Sequence, residues 1–479
     1  MIPTDSRQEA ARKARDRIVL VLMLPFIMLV FNNSLITLAL PAFRDAFRLP
    51  ADVVAWLMTI FTLPFIMFMP LYGKLGDMFG GRRIFMVGIA IFTAGTLITV
   101  FAGDLGLLFF GRFIQGIGAA GIHPICLSII ADNFPVHERG KAVGTWQSVG
   151  PAAWAIGPII GGFLIDHIGW RAIFGPILLV AFTTLLMVGK LNPGVKRSRV
   201  RTGFYRDFDW FGVTLLGALV VALVFYVSSR PITGVTPLRD MRLLAAALVC
   251  FGAFVLWERR RKNAFISLGL FSFRNFTFAS LCAFVRMFIM GCIDFLIPLY
   301  LTDIHGLAAA PIGFVMMLDA AGLFATMRLG GLLADRWSSR WLIVLGSLTS
   351  AVIMVFFGFL SASSPVVLFG AAVAVRGIVA GIYAAPLYQI YMRELPEDQA
   401  GSAGGIFTMI RFGGALLGAA IAGVLLEQGL AGGLALIRAY QNVFLVVSGV
   451  GVLGFLFSLG LKEHYAEKHS PGKHSAGSG

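Results

Sequence analysis

The chain has 479 residues, of which 58% are hydrophobic and 13% are charged, and its formal net charge is +15. A soluble chain has roughly twice that charged fraction, so the composition predicts an all-α protein that crosses a membrane many times. Most Lys and Arg residues lie in short segments between apolar runs, which indicates membrane topology and argues against nucleic-acid binding. The four cysteines lie inside apolar runs without a zinc-binding spacing, so we expect no metal site and no cofactor.

About fourteen apolar runs approach the ~20 residues that a helix needs to cross a bilayer. Of these runs, 242–257 is the shortest. In chain order, the predicted transmembrane helices are 18–40, 53–72, 84–102, 106–130, 141–165, 172–189, 211–229, 242–257, 275–301, 311–333, 340–360, 365–391, 402–427 and 440–461.

The basic residues divide the chain and orient it. They are concentrated in every second connecting segment, so the positive-inside rule places these segments and both termini in the cytoplasm of a multi-pass cell-membrane protein. A basic polar loop follows the sixth run, and a second basic stretch follows the eighth. The predicted domains are a six-helix bundle (1–190), a basic loop with a two-helix insert (191–262), a second six-helix bundle (263–465) and a disordered tail (466–479).

The two six-helix blocks repeat each other in sequence. The glycine-rich stretch that ends at Asp77 follows the second run of the first block, and the stretch that ends at Asp335 occupies the same place in the second. Arg112 on the fourth run matches Arg376 on the corresponding run of the second block. Internal repeats of this kind are typical of secondary transporters, whose substrate site lies between the repeats near the middle of the membrane.

These motifs resemble the major facilitator superfamily, and the plan of six, two and six helices resembles its branch of fourteen-helix drug:proton antiporters. The resemblance is carried by the loop 73–83, the fourth-helix stretch 111–120, the fifth-helix stretch 150–162 and the stretch 411–418. It implies alternating access, with gating motifs at Gly73, Asp77, Arg82, Arg83, Gly150, Gly157, Pro158, Gly161, Gly162, Asp335, Arg336 and Arg411.

By the same resemblance, runs 18–40, 106–130, 275–301 and 365–391 line a central cavity. The predicted cavity residues are Asn32, Asn33, Arg112, Gln115, His123, Arg286, Asp294, Asp319, Arg376, Tyr383 and Gln389. At 100° per residue, Arg112 and His123 differ by about 20°, so both lie on one face of the helix, about 16 Å apart along its axis.

One departure from the branch bears on proton coupling. The branch carries an Asp on its first helix, where this chain has Asn32. Asp294 and Asp319 are the carboxylates well inside predicted runs, and Asp294 is the better candidate for carrying protons because its helix should line the cavity. The alternatives are a static ion pair of Asp294 with Arg286, or with Arg112 across the cavity.

The sequence favours transport over catalysis. It has no phosphate-binding loop and no constellation of catalytic residues, so neither an enzyme nor an ATP-driven pump is expected. A receptor or scaffold without transport is disfavoured by the internal repeat.

The expected partners are a small amphipathic substrate, protons and the lipid bilayer, and we expect a monomer. The excess of intramembrane arginines leaves a second hypothesis open, in which the substrate is an organic anion or an anionic lipid.

Overall fold

The computed structural model describes residues 4–190, 209–228, 234–261, 266–395 and 399–463. The predicted disordered tail and most of the basic loop 191–208 therefore lie outside the described residues. The side chains of Asp77 and Asp335, which the sequence assigned to gating, also lie outside the described part of the chain.

The regular structure of the described residues is helical throughout. The α-helices are α1 (Thr4–Leu38), α2 (Leu40–Phe47), α3 (Ala51–Phe79), α4 (Gly81–Val100), α5 (Leu105–Ala119), α6 (Ile122–Asn133), α7 (Val136–His167), α8 (Phe174–Lys190), α9 (Trp210–Ser228), α10 (Met241–Arg260), α11 (Arg274–His305), α12 (Ala309–Arg336), α13 (Ser339–Phe359), α14 (Val366–Met392), α15 (Ala400–Ala431) and α16 (Leu436–Leu459). Two short 3-10 helices cover Trp170–Ile173 and Leu268–Ser272.

Within the described residues, 14 helical segments are long and apolar enough to cross a membrane, and each overlaps one of the predicted spans. The shortest predicted run forms the full helix Met241–Arg260. The prediction of an all-α, polytopic membrane protein is confirmed.

The helices pack as two halves and an insert. We call α1–α8 the first half, α11–α16 the second half, and α9 with α10 the insert. The halves meet along two helix pairs, α7 against α12 and α3 against α15. The insert helices pack on each other, and α9 also contacts α3 and α15. The surface between the halves is therefore built from equivalent helices of the two repeats.

The fourth span is broken, which the sequence did not predict. The helix α5 ends at Ala119, Ala120 and Gly121 form a turn, and α6 begins at Ile122. A Cβ atom on Gly121 would lie 2.5 Å from the ring of Tyr72, so only glycine lets this turn approach α3 so closely. The angle of about 20° between Arg112 and His123 assumed a continuous helix, and the break removes its basis.

Candidate functional site

A central cavity lies between the two halves and has two adjoining lobes. The first lobe has a volume of about 240 Å³ and contains Asp319, so we call it the Asp319 lobe. The second lobe has a volume of about 220 Å³ and contains Asp294, so we call it the Asp294 lobe. His123 and Arg411 line both lobes. Because each lobe has walls from both halves, any motion of one half against the other changes its shape.

More helices line the cavity than the resemblance implied. Besides the four predicted spans, α3 contributes Thr59 and Thr62, and α7 contributes Gln147 and Trp154. The second half adds residues of α12 and α15 in the same way. The expectation of four lining helices is therefore incomplete, since one helix pair from each half is added.

The Asp294 lobe holds a carboxylate without a direct partner. Asp294 is partly buried and shares the lobe with Arg112, Arg411 and Asn33. Among the described residues, Asp294 forms no hydrogen bond and no ion pair within 4 Å. Neither of the static pairs considered from the sequence, with Arg286 or with Arg112, is therefore formed.

In the Asp319 lobe, the carboxylate is paired. The Asp319 Oδ2 atom accepts a hydrogen bond from Arg376 Nη2, and this ion pair joins α12 to α14 inside the second half. Both residues are only 4% exposed. The Asp319 Oδ1 atom has no hydrogen-bond partner in the described structure, and Asp319 lines the lobe. The Oδ2 atom of Asp319 thus joins two helices of the second half, and the same residue borders the cavity.

Arg112 is held by neutral groups. Its Nη1 atom donates to Asn32 Oδ1 at 2.9 Å and to Gln115 Oε1 at 2.7 Å, and its Nε atom donates to the carbonyl of Leu57 at 3.2 Å. The guanidinium also lies 4.5 Å from the centre of the Phe61 ring. The charge of Arg112 is therefore solvated by acceptors and a π face, and no carboxylate among the described residues neutralises it.

Two further arginines lack ion-pair partners in the described structure. Arg286 on α11 lies 5.6 Å from the centre of the Tyr383 ring, and Arg411 on α15 lies 5.8 Å from that of Tyr388. The Nε atoms of both guanidiniums are buried without a hydrogen-bond partner. The sequence assigned Arg411 to a gating motif, but the structure places it in the walls of both lobes.

His123 sits among aromatic rings. Its imidazole packs against the rings of Phe26, Phe65, Trp146 and Phe412 at centroid distances of 5.3–6.5 Å. Phe412 belongs to the second half and the other three rings to the first, so these contacts bridge the cavity.

The predicted cavity residues divide into two sets. Asn33, Arg112, His123, Arg286, Asp294 and Asp319 line the lobes. Asn32, Gln115, Arg376, Tyr383 and Gln389 do not; the first two are fully buried and hold Arg112. Tyr383 is buried with its hydroxyl 3.4 Å from Ser350 Oγ. Asn32 and Gln115 therefore reach the cavity only through Arg112.

One end of the cavity is closed where the two halves touch, and we call it the Asp303 end. The Arg44 guanidinium of the first half forms an ion pair with Asp303 of the second half at 2.7 Å. The Tyr440 hydroxyl donates a second hydrogen bond to Asp303 at 2.6 Å. Burial acts to lower the pKa of Arg44, but Asp303 and Asp45 outweigh it and raise this pKa above its ordinary value.

Two carboxylates at the Asp303 end bind helix N-termini of the opposite half. Asp166, near the end of α7, accepts hydrogen bonds from the backbone N–H groups of Ala309 and Ala310 at 2.9 and 2.8 Å. Glu427, near the end of α15, accepts one from the N–H of Ala51 at 3.1 Å. A carboxylate is stabilised at a helix N-terminus, where N–H groups lack partners and the helix dipole is positive. The two contacts are equivalent under the internal repeat.

The predicted fifth-helix motif lies beside these contacts. A Cβ atom on Gly162 would lie 2.5 Å from the Cα atom of Ala310, and one on Gly157 would lie 2.2 Å from Ser34 Oγ. The Pro158 carbonyl oxygen would lie 2.2 Å from a Cβ atom on Gly313. The motif therefore permits close packing of α7 on α1 and, across the halves, on α12.

The sequence reasoning missed Arg44, Asp303, Asp166 and Glu427. A repeat signal for the last two was present, because Gly162-Phe-Leu-Ile-Asp166 and Gly423-Val-Leu-Leu-Glu427 have the same spacing of glycine and acid. No comparable signal in the sequence pairs Arg44 with Asp303.

The other predicted gating residues are only partly described. Arg82 donates hydrogen bonds to the carbonyl groups of Val188 and Gly189, which ties α4 to α8 within the first half. Arg83 and Arg336 are exposed. The described residues contain no group of three His, Cys, Asp or Glu side chains that could hold a metal ion.

Comparison with protein families gives a match over most of the chain. The model of the Major Facilitator Superfamily matches residues 22–419 and again residues 279–477. The second match begins inside the second half, as expected for an internal repeat.

Several relatives have described activities. The riboflavin transporter RibZ of Clostridioides difficile (strain 630) is 25% identical over 394 residues, covering 82% of this chain and 84% of that protein. The multidrug resistance protein Stp of Mycobacterium tuberculosis (strain CDC 1551 / Oshkosh) is 28% identical over 407 residues, covering 83% of this chain and 73% of that protein. The tetracenomycin C resistance and export protein of Streptomyces glaucescens is 26% identical over 405 residues, covering 84% of this chain and 74% of that protein.

Solved structures show the same fold at lower identity. The D-xylose-proton symporter superimposes with a TM-score of 0.67 at 14% identity, over 92% of this chain and 96% of that one. A bacterial homologue of the human lysosomal transporter Spinster, in an inward-facing and unoccupied conformation, gives a TM-score of 0.66 at 17% identity, over 94% of this chain and 98% of that one.

Proposed function

The chain belongs to the major facilitator superfamily, and from that premise we propose that it exports amphipathic small molecules by alternating access in antiport with protons. It is a multi-pass membrane transporter of small molecules, not an enzyme. Export of several drug-like compounds is supported by the relatives named as multidrug resistance and tetracenomycin export proteins.

One observation carries the proposal: charged side chains without ion-pair partners border a cavity between two halves. Within the described residues, Asp294, Arg286 and Arg411 border the lobes without an ion pair, and each lobe is also lined by Met and aromatic side chains. Intramembrane charges are costly, so those that line a cavity are expected to serve the transported species. Flexible thioethers let one site accept differently shaped apolar groups.

Asp294 is the proposed proton carrier. Its carboxylate borders the Asp294 lobe, whose walls come from both halves, so its contact with water changes when the halves move. Burial favours the neutral form of a carboxyl group, whereas water and a nearby guanidinium favour the ionised form. Alternating exposure of Asp294 can therefore bind and release a proton in each cycle.

The Asp303 end is the proposed gate of this cycle. Arg44, Asp166 and Glu427 each bind a group of the opposite half there. These contacts have to break when the cavity opens toward this end. By the positive-inside rule this end is extracellular, so the conformation described here is closed toward the outside.

The test is transport by purified protein in liposomes. A pH gradient is imposed, and the movement of cationic, neutral and anionic fluorescent amphiphiles is followed. We expect at least one amphiphile to be concentrated in a direction opposite to proton flow. A protonophore, equal pH on both sides and protein-free liposomes are the controls.

Two results would overturn parts of the proposal separately. Transport that is the same with and without the gradient would remove proton coupling and leave facilitated export. Failure of all amphiphiles both to bind and to move would remove the assignment of an amphipathic substrate.

A second candidate substrate class is organic anions, including anionic lipids. It is favoured by the guanidiniums of Arg286 and Arg411, which border the lobes without ion pairs in the described structure. Arg286→Gln should then weaken binding of anionic amphiphiles but not of cationic ones, with Arg438→Gln, which changes an exposed arginine, as the control. Equal effects of Arg286→Gln on both charge classes would exclude this candidate.

A further inference from the structure

A third cavity lies outside the central one, beside the two-helix insert. It has a volume of about 780 Å³ and runs between the insert helices α9 and α10 and the helices α3, α11 and α15. We call it the insert groove. Among the described residues, Arg259 is the only charged residue that lines it; the other lining residues are apolar, such as Leu216, Phe251 and Phe284.

The insert groove borders the lipid side of the protein. The helix α10, which forms one wall, exposes Leu248 by 63%, Val249 by 70% and Phe251 by 54%. A chain with 14 candidate spans presents such residues to hydrocarbon, not to water. An apolar groove of this size at the edge of a membrane protein is therefore accessible to acyl chains.

Positive charge lies at one end of the groove. Arg259 and Arg260 form the last turn of α10 and are exposed, and Arg261 follows with its guanidinium 5.4 Å from the centre of the Trp257 ring. The positive-inside rule assigns this segment to the cytoplasmic side. Basic residues at that level attract anionic lipid headgroups.

Negative charge near that end is kept out of the groove. Asp209 and Glu258 are 2% and 3% exposed, and neither lines the groove. The Asp209 carboxylate accepts hydrogen bonds from Trp257 Nε1 at 2.8 Å and from the Gly212 N–H at 2.9 Å. These bonds hold the ends of α9 and α10 together, so the charge that lines the mouth of the groove is that of Arg259, with Arg260 next to it in the chain.

We propose that the insert groove binds a phospholipid with an anionic headgroup, whose acyl chain lies along α10 and whose phosphate is held by Arg259 and Arg260. The groove reaches from Arg259 to Leu244, which is about 22 Å at 1.5 Å per residue. That length fits within the roughly 30 Å thickness of the hydrocarbon core.

The lipid site is separate from the transport cavity. The helix α15 divides the two, because Met409 and Gly413 line the groove while Arg411 and Phe412 line the central lobes. A lipid in the groove would therefore contact a helix of the interface between the halves without entering the substrate path.

Photolabelling of the full-length protein tests the proposal. The protein is placed in nanodiscs with phosphatidylglycerol or phosphatidylcholine that carries the same diazirine-labelled acyl chain, and labelled peptides are mapped by mass spectrometry. We expect phosphatidylglycerol to label α9, α10 and the groove face of α15 more strongly than phosphatidylcholine does. Each arginine near a headgroup should contribute about fivefold to this preference.

Matched variants identify the headgroup contacts. Arg259→Gln combined with Arg260→Gln should lower labelling by phosphatidylglycerol to the phosphatidylcholine level. Arg242→Gln is the control, because Arg242 is exposed on the same helix at its opposite end. Thermal unfolding should be the same for all three proteins.

Three outcomes would overturn the site. Equal labelling by both lipids would mean that the groove takes bulk lipid. Labelling that is unchanged in the double variant would remove the arginines from recognition. Absence of lipid label at the groove, together with a dimer mass, would show that a second copy fills it instead.

Discussion

The closed Asp303 end and the central cavity use charged residues in opposite ways. At the Asp303 end, each carboxylate that reaches the other half has a partner there: Arg44 for Asp303 and helix N–H groups for Asp166 and Glu427. In the cavity, Asp294 and Arg286 have no ion-pair partner among the described residues. Satisfied charges join the halves, and unsatisfied charges border the space between them.

This difference separates two tasks of a transporter. A gate needs contacts that are stable in one conformation and absent in the other, so its charges are paired across the halves. A coupling or substrate site needs groups whose partners arrive from solution, so its charges stay unpaired in the protein. The Asp319–Arg376 pair shares a property with each group: its charges are paired like those of the gate, and Asp319 borders the cavity. Unlike the gate contacts, the pair is formed within one half.

The largest effect is expected from removal of the unpaired carboxylate. Asp294→Asn should abolish transport driven by a pH gradient while substrate still binds, because an amide cannot exchange a proton in this range. Flux in liposomes and equilibrium binding are measured side by side. Asp132→Asn, which changes an exposed carboxylate, is the control. Normal gradient-driven flux in Asp294→Asn would assign the coupling to another group.

The second effect concerns stability. Asp319→Asn leaves the buried Arg376 without its counter-charge, and breaking one partner of such a pair costs about 3–5 kcal/mol. We expect a clearly lower thermal unfolding midpoint in detergent. Replacing both residues, with Asp319→Leu and Arg376→Met, should restore much of the loss because both buried charges of this pair are removed.

That rescue sharpens the comparison with Asp294. Asp294→Asn should change the unfolding midpoint little, since no ion pair of Asp294 is formed in the described structure. A midpoint as low in Asp294→Asn as in Asp319→Asn would mean that both carboxylates are structural.

The third effect concerns the gate. Asp303→Asn weakens charge-assisted hydrogen bonds from Arg44 and Tyr440, each worth about 1.5–3 kcal/mol. The population open at this end should rise about tenfold or more. Spin labels at Phe101 and Val367, exposed by 76% and 82% on opposite halves, report the distance across it. Asp45→Asn is the control, because Asp45 pairs with Arg44 from the same half. An unchanged distance distribution would remove Asp303 from the gate.

The sequence predicts the helices of this protein well and the pairing of their charges poorly. Apolar length suffices for the fourteen spans, because it depends on local composition alone. The Asp319–Arg376 pair joins residues 57 positions apart, and the choice of Asp319 over Asp294 depends on how α12 and α14 pack. Helical periodicity gives the face of one helix but not its distance from another.

The broken fourth span and the position of Arg411 are missed for related reasons. The turn at Ala120 and Gly121 is favoured by contact with Tyr72 of a neighbouring helix, which a single-helix pattern does not contain. Arg411 matches a motif by sequence, but the lobes that it borders exist only after the halves have assembled.

The smallest effect is expected at the helix N-terminus bound by Asp166. Asp166→Asn keeps an oxygen acceptor for the N–H groups of Ala309 and Ala310 but removes the negative charge, which is worth about 0.3–1 kcal/mol beside a helix dipole. With the same spin labels, the population open at this end should rise about twofold to fivefold. Glu427→Gln should give a shift of similar size, because it is the equivalent residue of the second repeat. A shift in one variant alone would mean that the two halves open asymmetrically, and no shift in either would leave Arg44 and Asp303 as the gate.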